Sequence, residues 1–421
     1  MDQAKTPSSP VDGSSYQYVV GIDIGSEQCS FCTLKPDKSQ VIKPTEFANA
    51  VAGFSLLHEQ LERMGVSPSQ VLIGLEATSR YGENLYRFLE QRGYQLCLLH
   101  PRQTHQFAQQ RGLRAKTDRL DAMTIARVLL SGEARPGYIP SDLVATYREL
   151  VRLHSHLSDE VARYKNEIHA LVVAVFPEFC NVFADPCRPS ALALLKRYPS
   201  AQAIREAGVE QLTALLREVA PKHYGRPTAE RLVEEARRTG RSGRAAGARS
   251  TSLRIMCEQL EQIQKNLAQL EKELDSLMEH DPGVTGLKSV PEFGPKTVAV
   301  LRAELGDVDR FARTDQVIAY GGLDIEIKES GFWKGKAKLS KRGSGHLRRV
   351  LYLAAVRSVR LEGSAFGAYY HRLVARGMKK GSALIAVMRK MLAVAAHVMK
   401  TEEMYDPTKV CASCVGSLAG Q

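Results

Sequence analysis

Aromatic residues make up only 7% of this 421-residue chain, with a single tryptophan, Trp333. So few rings argue against recognition of nucleic acid mainly by base stacking. Cysteine is equally sparse. Eight in a chain of this length cannot form a disulfide scaffold. Cys29 and Cys32 fall within a strand-like run and read as core residues. Cys411 and Cys414 form a lone CxxC near the C-terminus, two ligands short of a structural zinc site. The eleven histidines show no metalloprotease spacing, and there is no Walker loop. Met1 to Ser15 is polar and lacks the apolar stretch of a secretory signal. No uninterrupted run reaches the roughly 18 apolar residues of a membrane span. The best candidate, Ala383 to Met399, is broken by Arg389 and Lys390. These absences exclude a membrane-spanning protein, disfavour a secreted disulfide protein, and lead to an expected cytoplasmic location.

What the chain has is positive charge, unevenly spread. Its formal net charge is +12. Residues 1–135 hold 15 basic and 14 acidic residues, and residues 136–280 hold 20 and 19. Residues 281–421 hold 23 and 13, so nearly all the excess lies there. The densest stretch, Lys328 to Arg349, carries Lys334, Lys336, Lys338, Lys341, Arg342, Arg348 and Arg349 against Glu329 alone. A one-sided cluster repels itself unless an anion neutralises it, and a phosphate backbone is the natural partner.

Hydrophobic patterning divides the chain. Residues 1–15 read as a loose tail. Tyr18 to Ile24, Cys29 to Leu34 and Ser39 to Phe47 read as strands, the last two joined by a Lys-Pro-Asp-Lys turn. Helices over about 48–64, 81–92 and 116–130 then alternate with short strands at Val71 to Leu75 and Gln95 to Leu99. Three strands followed by alternating helix and strand predict an α/β domain with a mixed sheet over 16–135. From Leu150 a heptad seam runs through Leu153, Leu157, Val161, Tyr164, Ile168 and Leu171. A second passes through Leu253, Met256, Leu260, Ile263, Leu267, Leu270, Leu274 and Leu277. The spacing predicts long helices over 145–280 that pair with each other or between subunits. Between them lies a Pro-punctuated helical stretch ending in the acid-free Arg237 to Arg249 run, either a linker or a nucleic-acid contact. Residues 281–400 read as a second, mostly helical domain, and 401–421 as a flexible tail. In that domain Pro291-Glu292-Phe293-Gly294-Pro295, with Lys296 opening the next helix, resembles a helix-hairpin-helix, whose backbone N–H groups meet a phosphate. Glu292 stands where that hairpin usually has a small residue.

Four acids stand at element ends. Asp23 lies in the C-terminal part of the first apolar strand, Glu76 follows another, and Asp118 and Asp121 lie three apart on one helix face. Four convergent carboxylates call for a divalent cation, and Mg²⁺ or Mn²⁺ takes oxygen ligands together with phosphate oxygens. Gly21-Ile22-Asp23-Ile24-Gly25-Ser26 also admits the phosphate loop of an actin-like ATPase. That reading needs a second Gly-rich loop, and none is found.

At these residues the chain resembles transposases of the insertion-sequence 110 family. The likeness rests on GIDIGS around Asp23, LEATSRYG around Glu76 and KTDRLDA around Asp118 and Asp121. It continues in SVPEFGPKTVAVLRAELGD, AYGGLDIEIKESG and LSKRGSGHLRRVLYLAAVRS. Ile325 replaces the usual proline after Gly-Leu, and the insert between the long helices is large for the family. The resemblance implies an RNase H-like (RuvC-like) N-terminal domain with a D-E-D-D metal set, a coiled-coil middle and a C-terminal transposase domain. It implies a serine nucleophile at Ser330, with Ser340 and Ser344 as rivals in the same basic stretch. It further implies a structured guide (bridge) RNA, DNA at element ends and target, a dimer or tetramer, and a bacterial or archaeal host cell, with association with the nucleoid. Two other readings stay open: a RuvC-like nuclease or junction resolvase that uses water, and a non-catalytic nucleic-acid-binding protein.

Overall fold

The computed structural model describes residues 10–76, 80–112, 118–239, 245–326, 329–330, 333–334 and 338–412. The chain divides into two compact units. The first comprises Met1–Ser141 with Asp307–Arg313, and the second Asp142–Gly306 with Thr314–Gln421.

The first unit is built on a five-stranded sheet. Its strands are β1 (Tyr18–Ile24), β2 (Gln28–Leu34), β3 (Gln40–Ala48), β4 (Val71–Glu76) and β5 (Gln95–Leu99). The order is β3-β2-β1-β4-β5. β2 runs antiparallel to β1 and β3, whereas β4 is parallel to β1 and β5 to β4. This order and its single antiparallel inner strand are consistent with an RNase H-like fold. Tight turns suffice for β1–β2–β3, while the parallel steps need helical crossovers. These are α1 (Val51–Glu62) and α2 (Glu83–Glu90), followed beyond β5 by α3 (Pro101–Gln110) and α4 (Asp118–Leu129). Strand alternation sorts the core into two layers. Val20, Ile22, Phe31, Ile73 and Leu75 pack with Phe54, Leu57 and Leu61 of α1 and Leu85 and Leu89 of α2. Val19, Cys32, Leu34, Leu72 and Cys97 pack under Ala122, Ile125, Ala126 and Leu129 of α4.

Part of the supposed N-terminal tail belongs to this unit. Val11 N donates to Ala134 O at 2.8 Å, and Asp12 caps a short 3-10 turn over Gly13–Ser15. Residues Asp307–Arg313 also return to it. Asp307 N donates to the Tyr138 hydroxyl at 3.0 Å, and the Arg310 guanidinium lies 4.0 Å above the Tyr138 ring.

Burial pushes the thiols of Cys29 and Cys32 up to about 11 and that of Cys97 up to about 12. Folded-state values above the ordinary one mean the unfolded chain releases these protons first, so their contribution is full below about pH 9 and is lost as pH rises towards 12. We therefore expect the three thiols to resist iodoacetamide in the native protein at about pH 8. The urea midpoint should fall between about pH 8.5 and pH 10.5, as a denaturation series at the two values would show.

The second unit opens with α5 (Asp142–Val175), and α10 (Ala246–Glu279) returns antiparallel along it. His154 of α5 meets Glu271 near the far end of α10 at 3.1 Å, while Ile168 and Val172 share a core with Leu253, Cys257 and Leu260. The buried stripe of α5 differs in its first half from the seam read in the sequence. Val144, Tyr147, Val151 and His154 are buried, and Leu153 is 48% exposed. The heptad spacing is kept, but a tyrosine and a histidine join it, which a leucine count passes over. The insert is a set of packed helices, α6 (Phe179–Val182), α7 (Pro189–Arg197), α8 (Ala201–Val219) and α9 (Arg226–Arg238). They close a core of Phe176, Phe179, Phe183, Leu192, Leu212 and Leu232 at that end of the long pair.

The chain then forms α11 (Thr285–Lys288), α12 (Pro295–Leu305) and α13 (Thr314–Tyr320). Four two-residue strands follow: β6 (Ile325–Glu326), β7 (Glu329–Ser330), β8 (Trp333–Lys334) and β9 (Lys338–Leu339). Last come α14 (Gly345–Arg360), α15 (Ala365–Ala375), α16 (Lys380–Thr401) and α17 (Pro407–Ala412). By length and composition α16 is apolar enough to cross a membrane, contrary to the reading of its two basic residues as decisive. Half of its most apolar window is buried, with Val387, Met391, Leu392 and Ala395 inside the helical core. The tail expected from residue 401 is also docked in part. Tyr405 stacks on Phe366 at 5.9 Å, its N–H donates to Ser289 Oγ at 2.8 Å, and Val410 is buried.

Candidate active site

Two glycines explain how the acids come to one edge of the sheet. β1 and β4 pair in parallel with Gly21 opposite Gly74 and Ile22 opposite Leu75. Residues two apart share a face, so Val19, Gly21 and Asp23 line up beside Leu72, Gly74 and Glu76. That is the face under α4. A Cβ on Gly21 would lie 2.1 Å from Ala122 O and 2.6 Å from Ala126 N, so the helix backbone rests directly on the strand. A Cβ on Gly74 would meet Leu129 and Ile125 at 2.7 and 2.9 Å. The end of α4 lies by the start of β1. A Cβ on Gly13 would be 2.8 Å from Leu129 O and 3.2 Å from Val19 Cγ2. Helix and strand are therefore antiparallel. The two residues from Gly21 to Asp23 advance about 6.6 Å, which equals four to five helical residues at about 1.5 Å each. Counted back from Ala122–Ala126, this reaches the first turn of α4, where Asp118 and Asp121 stand.

Asp23, Glu76 and Asp121 are each partly exposed, and the side chain of Asp118 lies outside the described residues. Among the described residues no three of His, Cys, Asp and Glu are drawn close enough to hold a metal ion. Asp23, Glu76 and Asp121 thus share an edge without closing into a cluster. Their donors are carboxylate oxygens alone, which suits a hard divalent cation rather than zinc or copper. A further polar group waits there. Ser30, the cross-strand partner of Asp23, is 1% exposed and its hydroxyl has no hydrogen-bond partner. Such a group costs about 1–3 kcal/mol when left unsatisfied.

Other residues brace the edge and were not read from the sequence. The Thr104 hydroxyl of α3 lies 3.2 Å from Glu76 Oε2 and 2.9 Å from Pro101 O, so its one proton serves one of the two at a time. Asn49 Nδ2 donates to Gly25 O at 2.9 Å and to Tyr81 O at 3.1 Å, joining the segments that leave β1 and β4. No motif marks these residues. Their roles arise from crossovers that bring distant segments together.

In the second unit, Ser330 lies in a small hairpin whose backbone register pairs it with Trp333, and Glu329 with Lys334. The side chains of Ser330, Trp333 and Lys334, and all of Lys336, lie outside the described residues, as do Cys414 and Thr117, which the sequence offers as the N-cap of the 116–130 helix. Lys338 is exposed, opposite Glu326. Lys341 has a positive φ of 52° and donates its N–H to Gly322 O at 3.2 Å. Several of the other basic residues have protein partners. Arg342 pairs with Glu326 at 3.3 Å and Arg349 with Asp159 at 2.6 Å. Arg348 donates to Gly343 O at 2.8 Å and Gly321 O at 3.4 Å, pinning the turn before α14. Lys296 Nζ donates to Ser158 Oγ at 3.3 Å. Partial burial and nearby Arg349 hold its amine below the ordinary lysine value. Of the rival serines, Ser344 is committed as the α14 N-cap, accepting from Leu347 N at 3.2 Å. Ser340 donates its N–H to Asp324 O.

Glu292 is buried with one of its two carboxylate oxygens partnered. It is 2% exposed and accepts from the Ser364 hydroxyl at 2.5 Å, tying the turn before α12 to the start of α15. Beside that turn a cavity of about 210 Å³ is lined by Gly294, Lys296, Thr297, Leu353 and Arg357. Arg357 is exposed and was not singled out in the sequence.

A sheet of this order with acids at one edge is consistent with an RNase H-like domain of the kind that carries metal-dependent phosphoryl chemistry. Comparison with known proteins narrows it. Residues 20–177 match the DEDD transposase profile of the IS110 type, and residues 284–371 match the profile described as "Transposase IS116/IS110/IS902 family". A protein of insertion element IS110 from Streptomyces coelicolor is 27% identical over 69% of this chain and 72% of its own length. One of IS900 from Mycobacterium paratuberculosis is 23% identical over 93% of this chain and 98% of its own. The pilin gene-inverting protein of Moraxella bovis is 22% identical over 92% and 97%. The chain belongs to the IS110 family of transposases and is a DNA transposase or recombinase.

Proposed function

We propose that this protein cuts and rejoins DNA at the ends of an insertion element through a covalent serine intermediate, using Mg²⁺ or Mn²⁺ held by Asp23, Glu76, Asp118 and Asp121. The observation that supports the metal half is the parallel register of β1 and β4, with Asp23 and Glu76 at one end of the sheet and the first turn of α4 counted to the same end. When bound, the cation supplies Lewis acidity at the scissile phosphate. Asp23, Glu76, Asp118 and Asp121 would hold that cation through their carboxylate oxygens. The Ser330 hydroxyl attacks phosphorus, a serine–phosphate ester forms, and the phosphorus–O3′ bond breaks. The proton leaving the serine is matched by one taken up by the departing 3′ oxygen. Lys334, Lys336, Lys338 and Lys341 offset the charge that builds on the phosphate. The N-terminal turn of α12, with Lys296 and Arg357, is suited to a backbone phosphate.

The guide RNA rests on the family likeness. Base pairing would read sequence while the protein reads backbone and shape. A dimer or tetramer, with Ser330 and the acids supplied by different subunits, fits the half-exposed Leu153 and Ile255 on the long helices.

The test is to incubate the protein with element-end DNA and the non-coding RNA that flanks its gene. With Mg²⁺ we expect a protein–DNA adduct that survives denaturation, and none in EDTA. Metal-dependent cleavage without adduct would support the hydrolytic nuclease reading instead. Binding with no cleavage would support the non-catalytic one.

A further inference from the structure

We propose that Ser30 is a positioning residue of the metal site, its hydroxyl, unpartnered in this structure, turning to donate to the Asp23 carboxylate when the cation is bound and fixing the rotamer that faces it. The inference rests on the reading of Asp23 as a metal ligand.

Three observations lead to it. Ser30 stands directly opposite Asp23 in the antiparallel β1–β2 pair, where Cβ atoms lie roughly 4.5–5.5 Å apart, within reach of a serine-to-carboxylate hydrogen bond. Its side chain shares the α4 face of β2 with Cys32 and Leu34, an otherwise apolar layer in which a serine gains nothing by packing. Its hydroxyl is buried and unpartnered. A carboxylate has about four lone-pair sites, so Asp23 accepts this bond while keeping oxygens for a cation and for its other contacts. Outer-shell donors of this kind orient a metal-binding carboxylate. β2 also supplies an internal control. Thr33 is equally buried and equally unpartnered, but it lies opposite Val20 on the other face, with no acid as its cross-strand partner.

The two roles open to Ser30 predict different results. A hydroxyl that only fills space is a liability, and its removal should leave metal binding alone. If instead the hydroxyl holds Asp23, its removal should weaken metal binding without harming the fold. Mn²⁺ would be titrated into the full-length protein and followed by water-proton relaxation, with thermal unfolding in EDTA measured in parallel. We expect Ser30→Ala to weaken Mn²⁺ binding by roughly 10–100-fold while its unfolding temperature in EDTA is unchanged or higher. Ser30→Cys, which keeps the shape but offers a poor donor, should lose affinity in the same direction. Thr33→Val should bind Mn²⁺ as the wild type does. Wild-type affinity in both Ser30 variants would overturn the proposal and leave the metal site standing. If Asp23→Asn did not weaken Mn²⁺ binding, the metal reading and the proposal would fall together.

Discussion

Ser330→Ala is expected to abolish the denaturation-resistant protein–DNA adduct and to lower strand transfer by at least about 10⁴-fold, the scale seen when a serine nucleophile is removed. An alanine at this position has no oxygen to esterify, so the loss is chemical. Binding of element-end DNA should change little, since the basic residues remain. Ser344 is the less credible substitute because its hydroxyl caps α14, and replacing it should cost about 1 kcal/mol of stability. Denaturing gels of the reaction with end-labelled DNA decide the matter. An adduct of undiminished yield in Ser330→Ala, with the linked peptide mapping to Ser340, would move the nucleophile along the chain.

The second large effect lies far from any chemistry. Gly21→Ala adds one methyl group where α4 rests on β1, and that methyl would sit 2.1 Å from a backbone oxygen. Backbone cannot rotate aside as a side chain can. The helix must lift, carrying Asp118 and Asp121 away from Asp23. Overpacking of a core costs typically about 1–3 kcal/mol, and a main-chain clash belongs at or above the top of that range. We expect a lower unfolding temperature and loss of metal-dependent cleavage together. Gly74→Ala meets only the tips of Leu129 and Ile125 and should be milder. Gly247→Ala, in α10 with nothing within 4 Å and no positive φ, should stabilise by about 0.5–1 kcal/mol and leave cleavage intact. Calorimetry and a cleavage assay on the three variants test the ranking.

These glycines also show where reading a sequence runs out. The strands of the first unit were legible because apolar β-branched runs bounded by turns have few alternatives. Asp23 and Glu76 were legible because an acid at the end of such a run needs a reason to be there. Sequence spacing did not reveal that Gly21 and Gly74 face each other across β1 and β4, and that pairing sets the level of α4. Thr104 and Asn49 were missed for a like reason, because each meets its partner only after a crossover. In the second unit the heptad rule found both long helices, yet it put Leu153 in the seam that Val151 and His154 occupy. Charge counting found the basic stretch but could not tell Arg348, bound to two carbonyls, from Lys338, which stays exposed. Nor could composition foresee that residues 10–15 and 405–410 are anchored by a few backbone bonds and one stacked ring.

The return of Asp307–Arg313 to Tyr138 sets an order on biosynthesis. On a ribosome adding about 5–20 residues per second, the N-terminal sheet emerges roughly ten to thirty seconds before the segment that completes its unit. During that interval Tyr138 has neither Asp307 nor Arg310 to receive it. A nascent chain, or one truncated anywhere between the long helices and residue 307, therefore carries the acid-bearing sheet in an unfinished form. Finishing it requires that the whole middle of the protein already exist.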